Sequence, residues 1–212
     1  MGLSPMMQHY LQTKENFKDC ILFYRLGDFY EMFFDDAIKV SNLLDLTLTG
    51  RNCGLEERAP MCGIPFHAAD MYIAKLVALG EKVAICEQVT APSTKELVQR
   101  EVVKIVTAGT VTNNELIDEK SNNFLGAIYL KNSALAFAWV DITTGEFFVR
   151  DFSGENSLNE LMDVIVRVSP VEIIANEEAL TKFSNMPLVK YGVIPKLGAF
   201  TESQFNLNNA TN

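Results

Sequence analysis

The sequence predicts an α/β protein of two domains, one over residues 1–110 and another over 122–212, joined by a linker at 111–121. Three observations carry that expectation. Apolar runs of strand length alternate with stretches of helical periodicity through the first half, the pattern of packed strand and helix layers. A polar, aperiodic segment, TVTNNELIDEKSNN at 110–123, then interrupts the alternation. Beyond it three strand-like runs follow one another directly and give way to a helix and a further strand, which describes a compact second unit.

Taken in order, Ser4-Pro5 reads as an N-cap followed by proline at the first helical position, opening a helix through about Lys14. CILFYRL at 20–26 is nearly all apolar, as a strand covered on both faces would be. After the turn that follows, Phe33, Ala37, Val40 and Leu44 recur at helical spacing, with Phe34 and Ile38 widening the stripe, and predict an amphipathic helix ending near Asp45. LTLTG follows as a strand, and RNCGLEERAPMCGIPFH, rich in glycine and proline, as a long loop over 51–67. Ala69, Tyr72, Ile73, Leu76 and Val77 mark the face of another helix, with Gly80 suited to its C-terminal cap. VAICEQV at 83–89 and VVKIVTAG at 102–109 are strands. In the second half FLGAIYL, LAFAWVDIT and EFFVRDF form a meander, the last two joined at Gly145. Leu158, Leu161, Ile165 and Val168 then give a helix, and PVEIIA a strand.

Composition limits the function classes. Apolar residues make up 48% and charged residues 21%, the balance of an ordinary soluble globular protein. No apolar run approaches the roughly 18 residues of a membrane span, and MGLSPMMQHYLQ lacks the basic and apolar regions of a secretory signal, so no membrane and a cytoplasmic setting are expected. Cys20, Cys53, Cys62 and Cys86 form no CxxC pair and, with His67, show no zinc-site spacing; they are expected as buried or free thiols, with no metal bound. A net charge of −9 opposes nucleic-acid binding on composition alone. The charge is uneven, however. Residues 1–108 carry 11 Lys and Arg against 14 Asp and Glu, and the remainder 7 against 13, so a DNA-facing surface belongs in the first half.

The turn GDFYEMF at 27–33 is the most informative stretch. Placed at a helix start, Asp28 would be the N-cap and Glu31 the third helical residue reaching back to it, a capping box. That accounts for Glu31 but leaves Phe29 without a packing partner, because the residue that would staple it is Gly27. An exposed aromatic beside a carboxylate suits a wedge pushed into a base stack from the minor groove, with the acid accepting a hydrogen bond from a base edge. Glutamate is a poor choice for general DNA affinity. It suits a protein that must bind normal duplex weakly and damaged pairing better, where unstacking costs less.

The words PMMQHYLQ at 5–12, FYRLGDFYEMFFDDA at 23–37, PMCGIPFHA at 60–68, VAICEQV at 83–89 and VTAGTVT at 106–112 together resemble the N-terminal portion of the MutS family of DNA mismatch-recognition proteins. The resemblance implies a mismatch-binding domain over the first 110 residues, then a connector domain with a ribonuclease-H-like fold, incomplete at its C-terminal end. It implies that Phe29 stacks on a mispaired base and that Glu31 hydrogen-bonds it. Lys95 and Arg100 become candidate phosphate contacts, although Glu96 adds a negative charge where the family often has glycine, and Ala108 stands where it often has proline. It implies as partners mismatched double-stranded DNA, a MutL-type repair protein met through the connector, and a second copy in a full-length homodimer. No GxxxxGK[ST] phosphate loop occurs, so no cofactor is expected here; the resemblance puts ATP and Mg²⁺ in a downstream ATPase, and the chain reads as a non-enzymatic fragment.

Arg51, Arg58 and His67 bracket the loop that the resemblance places near DNA. Arg58 is a candidate phosphate contact or a solvated charge beside Glu56 and Glu57; Met61, Ile64 and Phe66 are expected as loop packing. Asp141, Glu146 and Glu172 raise a rival expectation, a metal-dependent ribonuclease-H-like nuclease, against solvated charges at sheet ends. A third possibility is an acidic protein-interaction module without DNA binding.

Overall fold

The computed structural model describes residues 2–90, 98–111 and 123–183, together with the backbone of a strand at 196–200. Its contacts divide the chain into two units, Met1–Thr107 and Ala108–Asn212. The predicted linker lies almost wholly outside the described residues.

In the first unit α1 (Pro5–Asn16) opens as expected, with Pro5 at its start and the Ser4 hydroxyl accepting the Met7 N–H at 3.4 Å. It is followed by β1 (Ile21–Leu26), β2 (Phe29–Phe33), α2 (Phe34–Leu44), β3 (Thr49–Arg51), β4 (Ala59–Pro65), α3 (Ala69–Ala78), β5 (Val83–Gln88) and β6 (Arg100–Val106). The six strands form one mixed sheet in the order β3-β4-β2-β1-β5-β6, in which only β1 and β5 run parallel. α1 covers one face, where Tyr10 meets Phe33 and Tyr24 edge-on at 5.0 and 5.4 Å. α2 covers the opposite face, where Cys62 on β4 donates to the Ala37 carbonyl at 3.5 Å.

Two expectations are corrected. Residues 29–33 are a strand and not the start of a helix, so Asp28 and Glu31 form no capping box, and α2 begins at Phe34 without a side-chain cap. The expected loop over 51–67 contains β4, seven residues paired with β2 on one side and β3 on the other. Its glycine and prolines read as loop, yet Ala59, Cys62 and Ile64 are buried, and those contacts outweigh local propensity. The thiols of Cys20, Cys53, Cys62 and Cys86 are all buried and free.

The second unit contains β7 (Phe124–Lys131), β8 (Ala134–Asp141), β9 (Glu146–Phe152), α4 (Ser157–Val168), β10 (Glu172–Asn176), α5 (Glu177–Phe183) and β11 (Lys196–Phe200). β7, β8 and β9 are the predicted meander, and β10 and β11 add parallel strands to give the order β11-β10-β7-β8-β9. Leu161 and Ile165 of α4 pack into a core with Ile128, Phe137 and Ile173. α5 and β11 carry no sequence-level expectation. The protein is thus α/β in two units, each built on its own mixed sheet.

Candidate nucleic-acid interface

β1 and β2 are joined by a two-residue turn, Gly27-Asp28, with Leu26 directly opposite Phe29. Gly27 has a φ of +60°, a conformation that glycine alone adopts without penalty and that a tight hairpin requires. The turn is anchored from two sides. Its Gly27 N–H donates to Gln88 Oε1 at 3.0 Å, and the Asp28 carbonyl accepts the Phe66 N–H at 2.9 Å. Beneath it the Arg25 guanidinium lies 3.9 Å over the Phe66 ring and pairs with Glu87 at 3.5 Å, while the Tyr30 hydroxyl donates to the same Glu87. Burial and that bond push the Tyr30 hydroxyl pKa up to about 12, so it remains a donor at neutral pH.

Strand alternation then sorts the side chains. Tyr30 and Met32 turn inward on the α2 side, while Phe29, Glu31 and Phe33 share the other face. On that face α1 covers Phe33, which is 1% exposed, but Phe29 at the far end is 47% exposed. An aromatic ring held on an anchored hairpin with half its surface in water can enter a ligand without the chain rearranging.

Glu31 is set opposite Gly63 on β4, where an added Cβ would lie 3.5 Å from the Glu31 Cγ. Glycine within a strand leaves room for another molecule to approach the backbone. Among the described residues the partner of Glu31 is Arg51, whose Nη1 donates to Oε2 in an ion pair with the carboxylate side chain 15% exposed. Sequence reasoning placed Arg51 near DNA and missed this pairing. The signal that could have pointed toward it is the Gly-Asp dipeptide between two aromatic-rich runs, which is hairpin chemistry; it turns 29–33 into a strand and brings β4, and β3 behind it, alongside.

The remaining candidates are dispersed. Arg100 is partly buried: its Nε donates to the Arg25 carbonyl at 2.8 Å, Nη1 to the Val98 carbonyl at 3.0 Å, and the guanidinium lies 5.2 Å from the centre of the Tyr24 ring. Arg58 is exposed just before β4, with no hydrogen bond or ion pair among the described residues. Lys95 lies outside the described residues. His67 and Phe66 are exposed and meet edge-on at 5.9 Å.

Two of the three carboxylates of the nuclease alternative, Asp141 and Glu172, are engaged in hydrogen bonds. Asp141 is buried at the end of β8 and accepts from the Asn123, Thr143 and Thr144 N–H groups and from the Thr143 hydroxyl. Those bonds, the Thr143 hydroxyl first, hold its pKa below the usual carboxylate value. Glu172 Oε2 accepts the Gly109 N–H at 3.0 Å, and Glu146 is exposed. Among the described residues no three His, Cys, Asp or Glu side chains are grouped to hold a metal ion. No helix among them is long and apolar enough to cross a membrane.

Residues 4–115 match the family model described as MutS domain I, and residues 123–212 the model described as MutS domain II. The chain belongs to the MutS family. A DNA mismatch repair protein MutS of Acetivibrio thermocellus is 58% identical over 178 residues, 84% of this chain and 20% of the relative. That of Ruminiclostridium cellulolyticum is 51% identical over 209 residues, covering 98% of this chain and 24% of the relative. One from Clostridium botulinum (strain Hall) is 50% identical over 184 residues, 86% of this chain and 20% of the relative. The chain therefore spans about a quarter or less of the length of these MutS relatives.

Proposed function

We propose that the chain is the mismatch-reading portion of a longer DNA mismatch-repair sensor, not itself an enzyme, in which Phe29 enters the base stack from the minor groove and Glu31 accepts a hydrogen bond from the mispaired base. The observation that carries this is the half-exposed Phe29 ring on a hairpin anchored by Gln88 and Phe66, with Glu31 two residues along the same strand face. Apolar wedges unstack a base step at a cost of a few kcal/mol, which is least where pairing is already defective. A fixed ring meets that requirement with little ordering cost of its own. Gly63, opposite Glu31, puts no side chain of its own over the carboxylate. Exposed Arg58 suits a phosphate contact, as Lys95 does by sequence; Arg100 serves better as a brace for the hairpin.

The same family membership supports the wider reading: ATP and Mg²⁺ used by a downstream ATPase, a homodimer of full-length chains, a cytoplasmic setting, and a MutL-type partner docking on the second unit. The strand order β11-β10-β7-β8-β9, with its three-strand meander and two parallel additions, supports a ribonuclease-H-like connector. The experiment is equilibrium binding by the full-length protein to a duplex with one G·T mispair and to its matched homoduplex. Phe29→Ala should remove a stack worth about 1–3 kcal/mol by analogy with base–aromatic stacking, and abolish the preference for the mispair. Equal weakening on both duplexes would refute the wedge.

A further inference from the structure

Arg51 does not sit beside Glu31 in the sheet. It pairs with Ala59, while Glu31 pairs with Gly63, four residues further along β4, so its side chain must cross the sheet diagonally to reach the carboxylate. On the way its guanidinium lies 6.0 Å from the centre of the Phe33 ring, itself pinned by Tyr10 of α1. Arginine presents donors in a planar fork, and here only Nη1 meets the carboxylate, at Oε2. Among the described residues nothing donates to Oε1. With a side chain only 15% exposed and a bare glycine backbone opposite, Glu31 has few other ways to be held.

We propose that Arg51 is the positioning residue of the reader carboxylate: by holding Oε2 it leaves Oε1 aimed at the edge of the inserted base pair, and it thereby sets the mismatch-to-homoduplex ratio. This rests on the function proposed above for Glu31. A free glutamate would have to give up its rotamers each time it met a base, and a fixed one does not. With its Nη1 committed to Glu31, Arg51 acts through that carboxylate and not as a separate phosphate anchor.

The test measures affinities of the full-length protein for a G·T duplex and its homoduplex at one salt concentration, in Arg51→Met, Glu31→Ala and the double variant. The expected result is that each single change lowers the ratio by roughly tenfold, the factor that about 1.4 kcal/mol represents, and that the double variant lowers it no further. Arg51→Lys, which keeps the charge without the fork, should recover part of the ratio. Equal loss on both duplexes with the ratio kept, or losses that multiply in the double variant, would overturn the proposal and make Arg51 an ordinary backbone contact. An unchanged ratio in Glu31→Ala would instead sink the proposed role of Glu31 and this inference with it. If Arg51→Met fails to fold, as judged by exposure of the four buried thiols, Arg51→Gln supplies the same comparison.

Discussion

Asp36 offers a direct test of what holds the candidate interface in shape. It is 6% exposed in the first turn of α2 and serves three elements. Oδ1 pairs with Lys14 of α1 at 2.9 Å, while Oδ2 accepts the Leu22 N–H of β1 at 3.0 Å and faces the Tyr10 hydroxyl of α1 at 3.3 Å. The Leu22 N–H needs it because β2 pairs with β1 only from Tyr24 onward. In Asp36→Ala that N–H becomes a buried orphan, costing about 1–3 kcal/mol. Removing one partner of a fully buried ion pair costs about 3–5 kcal/mol, but the Lys14 side chain is 24% exposed and can turn to water, so its share is smaller. Tyr10 keeps a bond to the Phe33 carbonyl at 3.3 Å and adds little. The sum is about 2–4 kcal/mol, a large part of the roughly 5–15 kcal/mol by which a domain is stable. All four cysteines lie in the first unit, and burial pushes the thiols of Cys20, Cys62 and Cys86 up to about 11, so native labelling is slow. Thiol labelling against urea therefore reports the first unit, and fluorescence of Trp139, the single tryptophan, the second. The thiol midpoint should fall by roughly 1–2 M urea while the tryptophan midpoint stays fixed. A loss below about 1 kcal/mol would show that the Asp36 network does not hold α1 on the sheet.

Glu31→Gln should raise homoduplex affinity, by removing a negative charge near phosphate, and lower the mismatch-to-homoduplex ratio; binding to the two duplexes at one salt concentration checks both. Gly126→Ala should destabilise the second unit by about 1–3 kcal/mol, because its Cβ would fall 2.8 Å from Phe137 Cε2, and the Trp139 midpoint in denaturant reads the change. Asp141 has a depressed folded pKa, so its contribution is present above the unfolded value and is lost as pH falls through the folded one; the second unit should weaken below about pH 4, and Asp141→Asn should flatten that limb. The chain by itself, with a net charge of −9, should bind homoduplex DNA weakly and lose that binding as salt rises, which a salt titration of duplex binding measures.

The sequence by itself determined the two-unit α/β organisation, four of the five described α-helices and most strands, because apolar periodicity and caps such as Ser4-Pro5 are local features that burial reinforces. It also led to an exposed Phe29, though through a helix-start argument that does not apply: the ring is exposed because it stands at the end of strand β2, beside the hairpin turn. What it could not determine is what flanks that ring. Residues 29–33 take the strand conformation through a local hairpin with β1 and through pairing with β4, which joins Phe29 to Pro65 and Phe33 to Met61 across a long stretch of sequence. Glycine and prolines hid β4, because its stability comes from buried Ala59, Cys62 and Ile64 and not from propensity. The partner of Glu31 was equally hidden: Arg51 is twenty residues away and reaches it only because β4 lies between β2 and β3 in one sheet. Local chemistry is written in neighbouring residues, whereas the partner and aim of a side chain depend on which distant strand the fold lays beside it.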